Sequence, residues 1–177
     1  IKYGVDSIKL NLSGETITGM GAEETPMSEE EVAMAALEAR TRNKVLSAHA
    51  RSSGSVKQCI RHGIEVIYHA SFADEEALDL LEANKDKHFI APGLAWLINT
   101  SYHASEWGLT PEVTKKMGYH RELEIAVETL KKMLKRGIHV LPGGDYGFAW
   151  TPHGTNAKDL DAATGQRVWQ QRLSGIF

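Results

Sequence analysis

Cysteine is almost absent from this sequence: Cys59 stands alone among 177 residues. A single thiol excludes an internal disulfide and points to a reducing, cytoplasmic setting. Long apolar runs are missing too. No stretch approaches the roughly 20 residues of a membrane-spanning helix, so no membrane partner is expected. Positive charge is not in excess. The 20 Lys and Arg stand against 23 Asp and Glu, a formal net charge of −3, which leaves no electrostatic footprint for nucleic acid. The first residues lack the basic start and apolar middle of a signal peptide. They also lack a Met and a helix cap: Ile1-Lys2-Tyr3-Gly4-Val5-Asp6 reads as a helix end running into a strand, and further residues are expected upstream. Nucleotide-binding glycine signatures are absent. No G-x-G-x-x-G follows the first strand candidate, and no G-x-x-x-x-G-K-[ST] occurs.

What is present is ordinary in bulk and informative in order. Hydrophobic residues at 42% and charged residues at 24% suit one globular domain with a real core. Short β-rich runs alternate with amphipathic helices. Val5–Asn11, Lys44–Ala48, Glu65–Tyr68, His88–Ala91 and Ile138–Leu141 are the strand candidates. Ser28 with Glu31 forms a capping box ahead of the stripe Val32, Ala35, Ala36 and Ala39. Ser55–His62 reads as a helix closed by Gly63. Asp74 caps a helix through about Ala83, and Thr110-Pro111 opens a long one that ends at Arg136-Gly137, with Gly118 a break within it. Strict alternation predicts a parallel sheet with helical crossovers. Both an open doubly wound sheet and an incomplete (β/α)₈ barrel fit five strands.

The chemistry sits at the strand ends. Lys9 lies near the end of the first run, His49 and His69 end the next two, and Asp145 follows the last after Gly143-Gly144. In a parallel barrel these ends converge on the face that carries active sites. Two imidazoles and a carboxylate meeting there suit Zn²⁺ or a similar divalent ion. Singly, each has a plainer reading: a hydrogen-bonded histidine, a turn aspartate, a lysine reaching for solvent. Repetition of one position on successive βα units carries the signal. Trp96, Trp107, Tyr146 and Trp150 are placed in loops on the same side, where they either line a substrate pocket or pack the loops. Arg51 is either a surface arginine or a partner for a substrate carboxylate.

Several of these segments resemble the amidohydrolase superfamily, in its imidazolonepropionase-like and Xaa-Pro dipeptidase branch. Ile8-Lys9-Leu10 with Ser13-Gly14 and Ser28-Glu29-Glu30-Glu31 resembles the region of strand four, where a lysine bridges the metals. Val45-Leu46-Ser47-Ala48-His49-Ala50 resembles strand five. Gly63-Ile64-Glu65-Val66-Ile67-Tyr68-His69-Ala70 resembles strand six, usually G-V-x-x-I-E-H-G. Gly137-Ile138-His139-Val140-Leu141-Pro142-Gly143-Gly144-Asp145 resembles strand eight, usually G-V-x-x-x-x-G-T-D, and His153-Gly154-Thr155-Asn156 with Asp159-Leu160 resembles the segment after it. The likeness runs from about residue 3 to residue 160. It implies an α/β fold of TIM type, present as roughly strands four to eight, with 1–160 the barrel part and 161–177 a tail that departs from the pattern.

The resemblance also implies roles. The site would hold one or two divalent ions of zinc type, and in a binuclear site Lys9 would carry a CO₂-derived carbamate and bridge the two metals. His49 and His69 would bind the second metal. Asp145 would bind the first and act as general base and acid on a metal-activated hydroxide, cleaving an amide or peptide-like C–N bond of a small substrate. His153 would support catalysis or touch substrate, and His120 matches a recurrent histidine without an assigned task; apart from the resemblance, Arg51, Tyr146, Trp150 and His120 are the candidates for substrate contact. The departures are as definite. The H-x-H pair of strand one is absent from these residues, Tyr68 stands for Glu, and Gly144 stands for Thr. An alternative follows from them: a catalytically incompetent barrel fragment, or a binding or assembly protein that forms a homo-oligomer or associates through exposed barrel edges. A third reading, an open-sheet enzyme with incidental histidines, predicts that His49, His69 and Asp145 lie about 10 Å or more apart.

Overall fold

The computed structural model of the protein describes residues 3–155. The expected tail at 161–177 and the Asn156 and Asp159-Leu160 part of the strand-eight motif lie outside the described residues. Four strands, β1 (Ser7–Asn11), β2 (Val45–Ala50), β3 (Val66–His69) and β4 (Phe89–Ala91), form one sheet in the order β1-β2-β3-β4. All three pairings are parallel. Helices α1 (Glu29–Thr41), α2 (Ser53–His62) and α3 (Glu75–Ala83) are the crossovers between successive strands. The α/β class and the parallel sheet stand as expected, whereas a closed barrel is not seen among the described residues.

Local chemistry explains most boundaries. The Ser28 hydroxyl accepts from the Glu31 amide at 3.3 Å while the Glu31 carboxylate accepts from the Ser28 amide at 2.8 Å, the reciprocal capping box. Asp74 accepts from the Ala77 amide at 2.9 Å to open α3. Gly63 closes α2 with a left-handed φ of 69°, a conformation that glycine enters without steric cost. The long helix expected from Pro111 to Arg136 is two helices, α5 (Pro111–Lys116) and α6 (Tyr119–Lys135). Gly118, at φ 91°, separates them.

Two expectations need correction. The run Ile138–Leu141 is not a full strand. It meets the sheet at a single parallel bridge, Val140 with Ile90, supported by bonds from the Ile90 amide to the His139 carbonyl and from the Leu141 amide to the Ile90 carbonyl. The bonding direction is that of a fifth parallel strand, but Pro142 and the glycines after it offer too little regular backbone to extend the ladder. Second, Trp96 does not lie in a loop. It belongs to α4 (Leu94–Tyr102), an almost wholly buried helix.

One apolar layer lies between the sheet and the crossover helices. Leu46, Ala48 and Ile67 point into it from the strands, and Val56, Cys59, Leu78 and Leu81 from the helices. A second cluster joins Leu94, Trp96 and Leu97 of α4 to Tyr119, Ala126 and Leu130 of α6. With Leu46 and Ala48 committed to the helix side, pleat alternation sends Ser47 and His49 to the opposite face. Lys9 and Asn11 are their register partners on β1, and Tyr68 is the partner of His49 on β3.

Burial of histidine makes stability depend on pH. His88 is buried, its Nδ1 donates to the Ile64 carbonyl at 2.8 Å, and burial holds its imidazole below the ordinary histidine value. His49 and His69 are shifted in the same direction. An unfolded chain takes up protons on these rings near pH 6.5 while the fold resists them, so their contribution is present above about pH 6.5 and lost as pH falls below it. Urea midpoints are expected to be lower at about pH 5 than at about pH 7.5. His88→Gln should narrow that difference without abolishing it, and equal midpoints for the parent would refute the argument.

Candidate metal and catalytic site

Strand register and a break in the pleat bring the candidate ligands together. Alternation alone would put His69 on the helix side with Ile67. At this point the chain leaves the pleat: His69 has φ 77° and Ala70 φ 52°, left-handed values that cost a non-glycine residue roughly 1–2 kcal/mol. The Ala70 amide is held by the Ala50 carbonyl at 3.0 Å. The His69 ring then lies edge-on to that of His49, with centroids 4.7 Å apart. Strain of this kind persists where the surroundings impose it, and here it serves to set two imidazoles side by side.

Asp145 reaches the pair through a close backbone contact. Gly144 packs against Gly93 so tightly that a Cβ at 144 would stand 2.3 Å from the Gly93 Cα. The Gly93 amide donates to the Gly143 carbonyl at 2.9 Å. This contact gives a physical reason for glycine where the resembling sequences carry threonine. It leaves the Asp145 Oδ2 at 3.4 Å from His69 Nε2 and 3.8 Å from Arg51 Nη2. The separations contradict the reading in which the histidines and the aspartate are unrelated.

Lys9 stands with its Nζ 4.7 Å from the centre of the Tyr68 ring. Tyr68 is the residue found in place of the pattern's Glu, so the substitution exchanges a carboxylate for an aromatic face beside this lysine. Lys9, His49 and Asp145 line a cavity of about 420 Å³, together with Glu15, Trp96 and Phe148. Its walls are thus polar on the sheet side and aromatic on the side of α4 and the segment after Asp145.

Protonation favours neutral imidazoles. Burial, then the Arg51 charge, lowers the His49 pKa. His69 is pushed well below its usual value by burial first, then by Arg51, His49 and Lys9. Neither ring nitrogen of the buried His69 has a hydrogen-bond partner of good geometry, and the Pro92 backbone opposes the shift only weakly. Unsatisfied buried nitrogen is costly, and a neutral imidazole beside a carboxylate has the donor chemistry of a divalent-ion site. In this respect the residues fit a metal. In number they fall short: among the described residues no group of three or more His, Cys, Asp or Glu side chains is placed to hold an ion. His49 Nε2 instead donates to the Gly14 carbonyl at 3.1 Å.

The other candidates are placed as follows. Arg51 is no surface arginine. It is fully buried and its guanidinium is bound by Glu15 and Glu122, each at 2.5 Å. His120 lies against Thr114 and the Tyr102 ring, away from the cavity lining. His153 is exposed, with its ring against Gly147. Trp150 donates from Nε1 to the Thr100 hydroxyl at 2.9 Å and packs with Trp107 and Phe148, so its aromatic face is engaged in loop packing. Tyr146 follows Asp145 and bonds through its amide to the Gly144 carbonyl. Sequence reasoning missed Glu15, Glu122 and Tyr119. Glu122 carried a readable signal, because it falls on the buried stripe of α6 with Tyr119, Ala126, Thr129 and Met133. Glu15, in a loop, carried none.

The glycine contact yields a test. Gly144→Ala is expected to destabilise the protein by about 1–3 kcal/mol, the usual cost of forcing extra atoms into a packed contact. Thermal unfolding reads this, and an unchanged midpoint would mean that Gly93 and Gly144 are not held together.

No protein-family model matches the chain. Ochratoxinase from Aspergillus niger is 25% identical over 167 residues, covering 92% of this chain and 32% of that protein. A solved structure of a prolidase complexed with N-methylphosphonate-L-proline superposes with a TM-score of 0.77 at 23% identity, over 93% of this chain and 40% of that one. A Xaa-Pro dipeptidase with methionine bound in its active site superposes with a TM-score of 0.74 at 23% identity, over 93% and 39%. The chain therefore spans about a third of the length of the curated relatives that it matches. No described helix is long and apolar enough to cross a membrane. The structural neighbours are prolidase, amidohydrolase and ochratoxinase structures, and what this chain shares with them is the fold.

Proposed function

We propose that this chain supplies part of the active site of a metal-dependent hydrolase that cleaves an amide or peptide-like C–N bond. The observation that carries the reading is the convergence of His49, His69 and Asp145 at the mouth of a parallel sheet, with His69 buried and its nitrogens unpaired. Lys9 on the same cavity wall adds either an ammonium or, after reaction with CO₂, a carbamate. The H-x-H ligands of strand one are not among these residues, and other parts of the protein would complete the coordination shell.

A divalent ion held there, zinc by the type of donor, would polarise a carbonyl and bring the pKa of water to about 7. The chain's own residues do the rest. The two imidazoles stay unprotonated and keep lone pairs available. Asp145 takes the proton of the attacking water and returns it to the departing amine, a role its carboxylate can fill while it touches His69. Trp96 and Phe148, edge to face with centroids 5.8 Å apart, give an apolar wall for the group flanking the scissile bond. Small peptide-like ligands in the neighbouring structures, methionine and a phosphonate-proline, support that substrate class. Of the segment that follows Asp145, Phe148 lines the cavity, whereas Tyr146 and His153 are not among its lining residues.

A non-catalytic binding protein is the competing reading, and it is favoured by the small number of grouped ligands among the described residues. Metal analysis of the purified protein separates the two. The hydrolase reading expects about one or two equivalents of zinc or a similar ion. It also expects turnover of dipeptides or N-acyl amino acids that Asp145→Asn lowers by about 10²–10⁴-fold. A protein that takes up no metal and hydrolyses none of these, with divalent ions and bicarbonate supplied, would sink it.

A further inference from the structure

Arg51 was expected either at the surface or against substrate, and it is in neither place. Its side chain has no exposure to water. Nη1 meets Glu122 Oε1 at 2.5 Å, and Nη2 meets Glu15 Oε2 at 2.5 Å. Each carboxylate is held in turn. Ser71 donates to Glu122 Oε1 at 2.9 Å, and the Tyr119 hydroxyl donates to Glu15 Oε1 at 2.9 Å. The Arg51 backbone amide donates to the Ser13 hydroxyl at 2.7 Å, and the guanidinium lies over the Trp96 ring at 5.2 Å. A planar fork fixed by two carboxylates and an aromatic face has little freedom left.

The one remaining contact is directed at the site. Nη2, already bound to Glu15, also faces Asp145 Oδ2 at 3.8 Å. The same oxygen faces His69 Nε2 at 3.4 Å. The backbone before Asp145 is held at Gly93 through Gly143 and Gly144, a contact that places the chain but not the carboxylate. The guanidinium is the rigid charged group that faces the same carboxylate oxygen as His69.

From this geometry we infer that Arg51 is a positioning residue, which through its anchors Glu15 and Glu122 holds the Asp145 carboxylate against His69. The inference rests on the proposed role of Asp145 in metal binding and proton transfer. It assigns to Arg51, Glu15 and Glu122 a task that needs no contact with substrate. It also ties the loop after β1, which carries Glu15 and lines the cavity, to the placement of Asp145. Lysine cannot replace the arginine here, because an ammonium lacks the fork that bridges Glu15 and Glu122.

The test compares four proteins: the parent, Arg51→Met, Asp145→Asn and the double variant. Zn²⁺ affinity is measured by competition with a chromophoric chelator, and unfolding equilibria by urea titration. Positioning predicts that Arg51→Met weakens Zn²⁺ binding by about 10–100-fold, as loss of an outer-shell partner does, and that the double variant binds no more weakly than Asp145→Asn alone. Zn²⁺ affinity within about twofold of the parent, with only the urea midpoint lowered, would overturn it, since a purely structural arginine does that. Should Arg51→Met fail to fold, Glu122→Gln removes one anchor and leaves Asp145 and the guanidinium present. It is expected to weaken Zn²⁺ binding in the same sense, and an unchanged affinity would overturn the proposal. If the parent itself binds no Zn²⁺, the metal reading fails, and the unfolding equilibria then decide on Arg51. Effects of the two single substitutions that multiply to within about twofold of the double variant would overturn positioning, and a clear departure from that product supports it.

Discussion

A guanidinium removed from water must be surrounded by charge, and the burial of Arg51 between Glu15 and Glu122 is the constraint on which this site depends. The desolvation of an ionised group costs several kcal/mol and is recovered only when the partners are in place. Those partners come from far apart in the sequence: a loop after β1, the end of β2 and the first turn of α6. The cluster adds little over an apolar packing of the same volume, but separating its members leaves a buried charge alone, at about 3–5 kcal/mol. Its effect is therefore selective. In the arrangement that it holds, Glu15 lines the cavity beside His49.

Two backbone features finish what the ion cluster begins. Left-handed residues at His69 and Ala70 bring an imidazole beside His49 that strict pleating would send elsewhere. The glycine-on-glycine contact at Gly93 and Gly144 then allows the next segment close enough for Asp145 to meet that imidazole. Both features work against local preference, since Ala70 bears strain that glycine would avoid and Gly144 contributes no side chain to packing. Departures from local rules concentrated at one place are typical of sites that do chemistry.

The parts of the fold that were legible in the sequence are those with local chemistry. The Ser28–Glu31 box, the Asp74 cap, the Thr110-Pro111 start and the glycines at 63, 118 and 137 mark ends by hydrogen bonds and dihedral angles that short segments determine alone. The helix Leu94–Tyr102 was not legible. It is buried on almost every side, and its polar residues Asn99, Thr100 and Ser101 are buried with the rest, so polarity sets no period, and Gly93 before it provides no capping side chain. For the site, the strand-end positions of His49, His69 and Asp145 were readable because they repeat. Arg51 was not, because burial of an arginine depends on two distant carboxylates that no local pattern links to it.

The formal charges of the assembled site point in one direction. Glu15 and Glu122 each have the Arg51 guanidinium at 2.5 Å, and one positive charge is shared between two carboxylates. Asp145 is left with that same cation at 3.8 Å and a neutral imidazole at 3.4 Å. Lys9, the other cation on this wall, lies over the Tyr68 ring. Three carboxylates around one guanidinium leave negative charge in excess in a partly enclosed space, where screening by water is reduced. Such an excess is relieved by a bound cation, and Asp145 is the member least committed to a partner. A cation bound there suits the proposed role of Asp145 as a metal ligand.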